Sequence, residues 1–213
     1  MKRNDYLYLD HAATTPMRES ALEAFKNAEE FAYANSSGGH ELSRRAKNLL
    51  EESRDFIASY FGAAPSEITF TSGGTEADNW VIKAPFMNSK NSQNLVTSKI
   101  EHEAVLASAE WLETQGQGVN YASCNTDGQV DVNEFLDKCN NDTAIASLMY
   151  ANNETGVVQQ IEKIAKEVKI KNPETLFHSD VVQAVSSEKL DFHKLGIDSC
   201  LLYTSDAADD SLG

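Results

Sequence analysis

Four short polar clusters in this chain each follow an apolar run, and each carries groups able to hold an anion, a planar ring or a proton. In TSGGTEADN (residues 71–79) two glycines and Thr75 stand between a predicted strand and a predicted helix. Backbone N–H groups at a helix start, with a hydroxyl beside them, form an anion site, and glycine lets the backbone approach it closely. By itself a Gly-Gly turn is most often only a turn. No Gly-Lys-Ser/Thr follows, so this is not a nucleotide P-loop. KIEHEAV (residues 99–105) sets His102 after a strand and near a helix start, where an imidazole can cap the helix or lie flat on a planar ligand. YANNETG (residues 150–156) crowds Asn152, Asn153 and Glu154 behind apolar residues, which suits a binding loop or a plain turn. In HSDVVQA (residues 178–184), Asp180 sits at a strand exit. A carboxylate there is costly unless it is paired, and a protonated ring nitrogen would be a suitable partner.

The elements that must carry these clusters alternate. The segment 6–10 (YLYLD) reads as a short strand, and Pro16 opens a helix over 17–31 with Ala21, Leu22, Phe25 and Ala28 on one face. A Ser/Gly-rich loop (34–41) leads to a helix over 41–61, with Leu42, Ala46, Leu49, Leu50, Ile57 and Phe61 at helical spacing and Gly62 as its stop. Residues 68–71 read as a strand that enters the glycine turn. Three more strand–helix pairs follow, with Gly116 ending one helix and Asp131 capping another, and then the strand that carries Asp180. The order implies an α/β protein: three layers, a mainly parallel sheet with flanking helices. Ligands of such sheets sit beyond the carboxyl ends of the strands, which is where the polar clusters fall.

Composition narrows the classes of function. A net charge of −15 over 213 residues argues against nucleic-acid binding, which needs clustered Lys and Arg. No run of 18 apolar residues suggests a membrane span, and the start lacks the apolar core of a signal peptide. Cys124, Cys139 and Cys200 lie far apart without metal spacing, as expected of free thiols in the cytoplasm.

The motifs YLDHAATTP, FTSGGTEADN, EHEAV, NNETGVVQ and D-x-x-Q occur in one order and at fitting distances over about residues 5–199. Together they resemble the group I cysteine desulfurases of the class V aminotransferase family, pyridoxal 5'-phosphate (PLP) enzymes of fold type I. The resemblance implies that the backbone of Gly74 and the hydroxyl of Thr75 hold the phosphate. His102 stacks on the ring and helps proton transfer. Asp180 keeps the ring nitrogen protonated, and Asn153 and Gln183 lie near the phenolic oxygen. Asn35 and His40 fall in a loop where Ser36 replaces the usual proline, and His11 lies in the N-terminal motif. The implied reaction takes sulfur from L-cysteine, leaving alanine and an enzyme persulfide. That sulfur then passes to an acceptor or scaffold protein for iron–sulfur cluster assembly or tRNA thiolation. A homodimer is also implied. Selenocysteine lyase and other class V enzymes are alternatives within the family. A non-catalytic, poorly folding truncated product is the alternative from another class.

The pattern breaks near the end. After KLGIDS (residues 194–199) the family continues to an S-x-H-K motif, whose lysine binds the cofactor covalently, and later to a catalytic cysteine. Here CLLYTSDAADD follows, with neither lysine nor histidine. Lys189 and Lys194 stand in another context, and Cys124 and Cys139 do not match the sulfur acceptor. The tail resembles the translation of a transposase-type sequencing adapter. The expected organisation is therefore an N-terminal segment (1–15), a partial PLP-binding large domain (16–199) and an adapter-like tail (200–213). The resulting chain is expected to be inactive.

Overall fold

The computed structural model describes residues 7–87, 93–185 and 190–202. Two helices, α1 (Glu19–Phe31) and α2 (Glu41–Phe61), precede the sheet-forming part. After a 3-10 turn (Pro65–Glu67) come α3 (Gly74–Met87), β1 (Asn94–Ser98), α4 (Glu103–Thr114), β2 (Gly118–Ala122), α5 (Val132–Lys138) and β3 (Thr143–Ser147). The order continues with α6 (Ile161–Lys171), β4 (Leu176–Asp180), α7 (Phe192–Leu195) and β5 (Ser199–Leu201). The five strands form one sheet in the order β2-β1-β3-β4-β5, and every pairing is parallel.

Strands β1 and β3 are buried throughout, as expected when helices cover both faces of a parallel sheet. Period-two alternation divides their side chains between the two layers. Leu95 and Ile145 pack with Ile82 and Phe86 of α3 and with Val105, Ala109 and Leu112 of α4. Val96 and Ala146 pack on the opposite face with Phe135 of α5 and with Ile161, Ile164 and Val168 of α6. The three-layer reading of the sequence is the observed architecture. A third cluster joins Phe61 of α2 to Val181, Ala184 and Leu190, and the Phe61 ring stacks on Phe192 at 4.9 Å.

Two expected strands are absent. Residues 7–10 form no strand, and Tyr6 lies outside the described residues. Residues 68–71 run without ladder partners. Arg54 instead donates to the Ile68 carbonyl and lies over the Phe70 ring at 4.8 Å. Both segments alternate as a strand should, but a strand also needs a neighbour to complete its hydrogen bonds. The first helix begins at Glu19 rather than residue 17, and its apolar stripe is not buried: Phe25 is 64% exposed. On α2, Leu49 and Leu50 are exposed while Ala58 and Phe61 are buried. Strand β5 crosses the expected boundary at residue 200, and residues 203–213 lie outside the described set.

Gly62 closes α2 at φ +71°, in the left-handed region. A Cβ there would meet nothing nearer than 3.6 Å, so the cost of adding one is backbone strain alone. Gly62→Ala should lower unfolding free energy by about 1 kcal/mol, read from the denaturant midpoint. An unchanged midpoint would show that the cap relaxes.

Candidate active site

The order of strands fixes where a ligand can sit. From β1 the chain crosses to β2 on one side and then returns to place β3 on the other. The connections therefore diverge between β1 and β3, opening a crevice at the carboxyl ends of those strands. His102 follows β1, Asn152 and Asn153 follow β3, and Asp180 ends β4 beside it.

At α3 the first-turn N–H groups, those of Gly74 and Thr75 among them, have no carbonyl within the helix to reach. They are open to an anion, and the helix dipole favours one there. Glu76 already takes part of this end. Its Oε2 accepts from the Ser72 N–H (2.6 Å) and the Ser72 hydroxyl (2.8 Å), and these bonds lower its carboxyl pKa. An anionic ligand would fall to the N–H groups beyond Ser72 and to the exposed hydroxyl of Thr75.

His102 caps α4. Its Nδ1 accepts from the Ala104 N–H at 3.2 Å, so the neutral ring carries its hydrogen on Nε2. The cap fixes the ring and leaves Nε2 without a hydrogen bond among the described residues. Asn152 builds the loop after β3. Its Oδ1 accepts from the Glu154 and Thr155 N–H groups, and its Nδ2 donates to the Ile100 carbonyl at 2.9 Å. Asn153, half-buried beside it, makes no side-chain hydrogen bond among the described residues.

Asp180 is buried. Its Oδ1 accepts from the Val182 N–H at 3.0 Å, and Oδ2 makes no hydrogen bond among the described residues. Burial, and then the nearby charge of Asp78, push its carboxyl up to about 6. The Val182 N–H, His178 and His102 pull the other way. A buried acid with one oxygen free needs a cationic or donating partner. Gln183 donates from Nε2 to the Ala12 carbonyl at 3.3 Å, tying the N-terminal segment to the end of β4.

Other residues singled out in the sequence serve local structure. Asn35 accepts from the Ser37 N–H, His40 caps α2 through Ser43, and His11 packs edge-on against Tyr8 at 5.2 Å. Lys194 is 83% exposed and pairs with Asp191 at 2.7 Å, while Lys189 lies outside the described residues. Cys124 is exposed, and burial pushes the Cys139 thiol up to about 11 and the Cys200 thiol up to about 12.

A buried acid beside the predicted site escaped the sequence reading. Glu101, beside His102, is buried, and its Oε1 accepts from the Met149 N–H (3.0 Å) and the Ser98 hydroxyl (2.9 Å). Its Oε2 has no hydrogen-bond partner among the described residues. Burial pushes this carboxyl up to about 8, and Asp180 and Asp78 add to the rise, which favours the neutral form. An acid directly behind the strand-like NLVTSKI segment was the available signal. Among the described residues, no group of three His, Cys, Asp or Glu could hold a metal ion, and no helix is long and apolar enough to cross a membrane.

Residues 7–205 match Aminotransferase class-V. The chain belongs to the class V aminotransferase family. It is 39% identical to a cysteine desulfurase IscS of Methanosarcina thermophila over 196 residues, 92% of this chain and 48% of that protein. It is 40% identical to a cysteine desulfurase IscS of Dictyoglomus turgidum over 202 residues, 93% of this chain and 50% of that protein. Among solved structures, a NifS-like protein superposes with TM-score 0.85 at 34% identity, covering 89% of this chain and 53% of the other. SspA in complex with cysteine superposes at 0.86 and 33% identity, covering 92% and 56%. The chain thus spans about half the length of the curated relatives it matches. The family's cofactor is PLP, and the residues present fit it: free N–H groups at α3 for a phosphate, and a buried carboxylate with one open oxygen for a ring nitrogen.

Proposed function

We propose that this chain carries the cofactor-binding part of a PLP-dependent cysteine desulfurase, which takes sulfur from L-cysteine and releases L-alanine. The observation that carries this reading is Asp180, a buried carboxylate with an unused oxygen at the carboxyl end of β4 beside the sheet's crevice. The names of the relatives, and the cysteine named with SspA, support the choice of substrate. Gly74 and Thr75 bind the phosphate, and Asp180 orients the ring through its nitrogen. Asn153 and Gln183 line the phenolic side. His102, with Nδ1 committed to its cap, holds or moves a proton at Nε2. Bound PLP supplies an electron sink for charge developing at the substrate's Cα. The whole enzyme, on this reading, works in the cytoplasm as a homodimer and hands its sulfur to an acceptor or iron–sulfur scaffold protein. Residues 16–199 are its partial large domain, preceded by the segment 1–15.

The 213-residue polypeptide is expected to bind PLP reversibly and to release no alanine from cysteine. Its Lys194 is 83% exposed and paired with Asp191. Spectral titration with PLP, borohydride trapping and an alanine assay, with selenocysteine as a second substrate, test this together. A trapped lysine adduct with steady alanine release would overturn the inactive reading. Absence of any PLP binding would overturn the cofactor reading. Reading the source DNA across codon 199 decides whether residues 200–213 are native.

A further inference from the structure

Among the described residues, a buried polar pair joins α3 to β4. His178 on β4 and Asp78 on α3 are both fully buried and are 100 residues apart in sequence. His178 Nε2 stands 3.1 Å from Asp78 Oδ1, and its Nδ1 stands 3.1 Å from the Ser199 hydroxyl on β5. Asp78 Oδ2 is buried with no hydrogen-bond partner among the described residues. A carboxylate accepts only, so the hydrogen of this bond lies on Nε2. Ser199 then donates to Nδ1 when the ring is neutral and accepts from it when the ring is charged.

Such a group is poor value for stability, because well-packed apolar residues of the same volume commonly do as well or better. Its value lies in where its ends are. Asp78 is four residues after Gly74, one turn along the same face of α3. His178 is two residues before Asp180, on the same face of β4. The helix that offers N–H groups to the phosphate and the strand that offers a carboxylate to the ring nitrogen are therefore joined by one bond. That bond lies a turn from one end of the ligand site and two residues from the other. A rigid planar ligand gripped at both ends tolerates only about half an ångström of misplacement.

We infer that His178 is a positioning residue for Asp180, and that the Asp78–His178–Ser199 tie fixes the separation between the phosphate-binding helix end and the ring-binding carboxylate. The inference rests on the reading that Gly74, Thr75 and Asp180 hold PLP. Two ligands separate its effects. Inorganic phosphate samples the α3 end alone, whereas PLP must reach both ends.

The experiment titrates the 213-residue chain with each ligand, with folding followed by circular dichroism. His178→Phe keeps a planar ring, though a larger one, and removes both hydrogen bonds. It should weaken PLP by about tenfold and phosphate by less than about twofold. His178→Gln, which keeps a donor toward Asp78, should recover most of the loss. The nitrogen-15 shift of the bound ring should move toward the unprotonated value in the phenylalanine variant and return in the glutamine variant. If H178F does not fold, Ser199→Ala carries the test, with about threefold loss for PLP and none for phosphate. Equal losses for the two ligands, or no loss for PLP, would overturn the tie. A wild-type chain that binds no PLP would instead overturn the cofactor reading, and the tie's role with it.

Discussion

Glu101→Gln is expected to make the protein more stable at pH 8 and to leave it nearly unchanged at pH 5. The carboxyl ionises at an ordinary 4.5 in the unfolded chain and at about 8 in the folded one. Between these values the folded state holds a proton that the unfolded state has released. Stability therefore falls as pH rises from about 4.5 to about 8, and is flat outside that window. Glutamine is neutral throughout and keeps the carbonyl oxygen that accepts from Met149 and Ser98. Each tenfold change in an acid's ionisation constant on folding corresponds to roughly 1.4 kcal/mol, and relaxation around the charged form recovers part of that cost. The variant should therefore gain about 2–4 kcal/mol at pH 8. Asp180 also rises, to about 6, and adds a similar slope between 3.8 and that value, but both proteins share it. Denaturant unfolding at several pH values measures the difference. Parallel stability curves would mean that Glu101 is hydrated and ionised.

Asp180→Asn is expected to weaken PLP binding by about ten- to hundredfold at pH 7.5, the worth of one hydrogen bond to a charged group. Asparagine can still accept from the Val182 N–H, so the fold should persist. The effect depends on pH in a definite direction. Below about 6 the wild-type carboxyl is protonated and loses its attraction for a ring cation. Wild-type affinity should thus decline toward that of D180N as pH drops through 6, while the variant lacks this limb. Fluorescence titration of the two chains with PLP decides it. Equal affinities at pH 7.5 would remove Asp180 from the ligand site.

How much was legible in the sequence depended on whether a signal was local. Helical spacing located α2, whose Gly62 stop falls where expected, and Asp131 caps α5 through the Glu134 N–H. The strand-like segments of β1 and β3, each followed by a polar cluster, marked both the buried strands and the crevice at their ends. Segments 7–10 and 68–71 were misread because alternation describes a strand's faces and says nothing of its hydrogen-bonding neighbour. Asp78, Glu101 and His178 were overlooked inside motifs read for Thr75, His102 and Asp180. Each is defined by what lies across from it, and α3 meets β4 only in the folded chain.

The cluster that seats α2 has a temporal side. Phe61 packs against Val181, Ala184 and Leu190, about 120 residues further along. At ribosomal rates of about 5–20 residues per second, α2 leaves the exit tunnel roughly 6–24 seconds before its partners do. During that interval its apolar face, like the exposed Phe25 and Phe56 nearby in the chain, is available to whatever holds nascent polypeptides. The segment that ends α2's wait is therefore the one that directly follows β4 and Asp180.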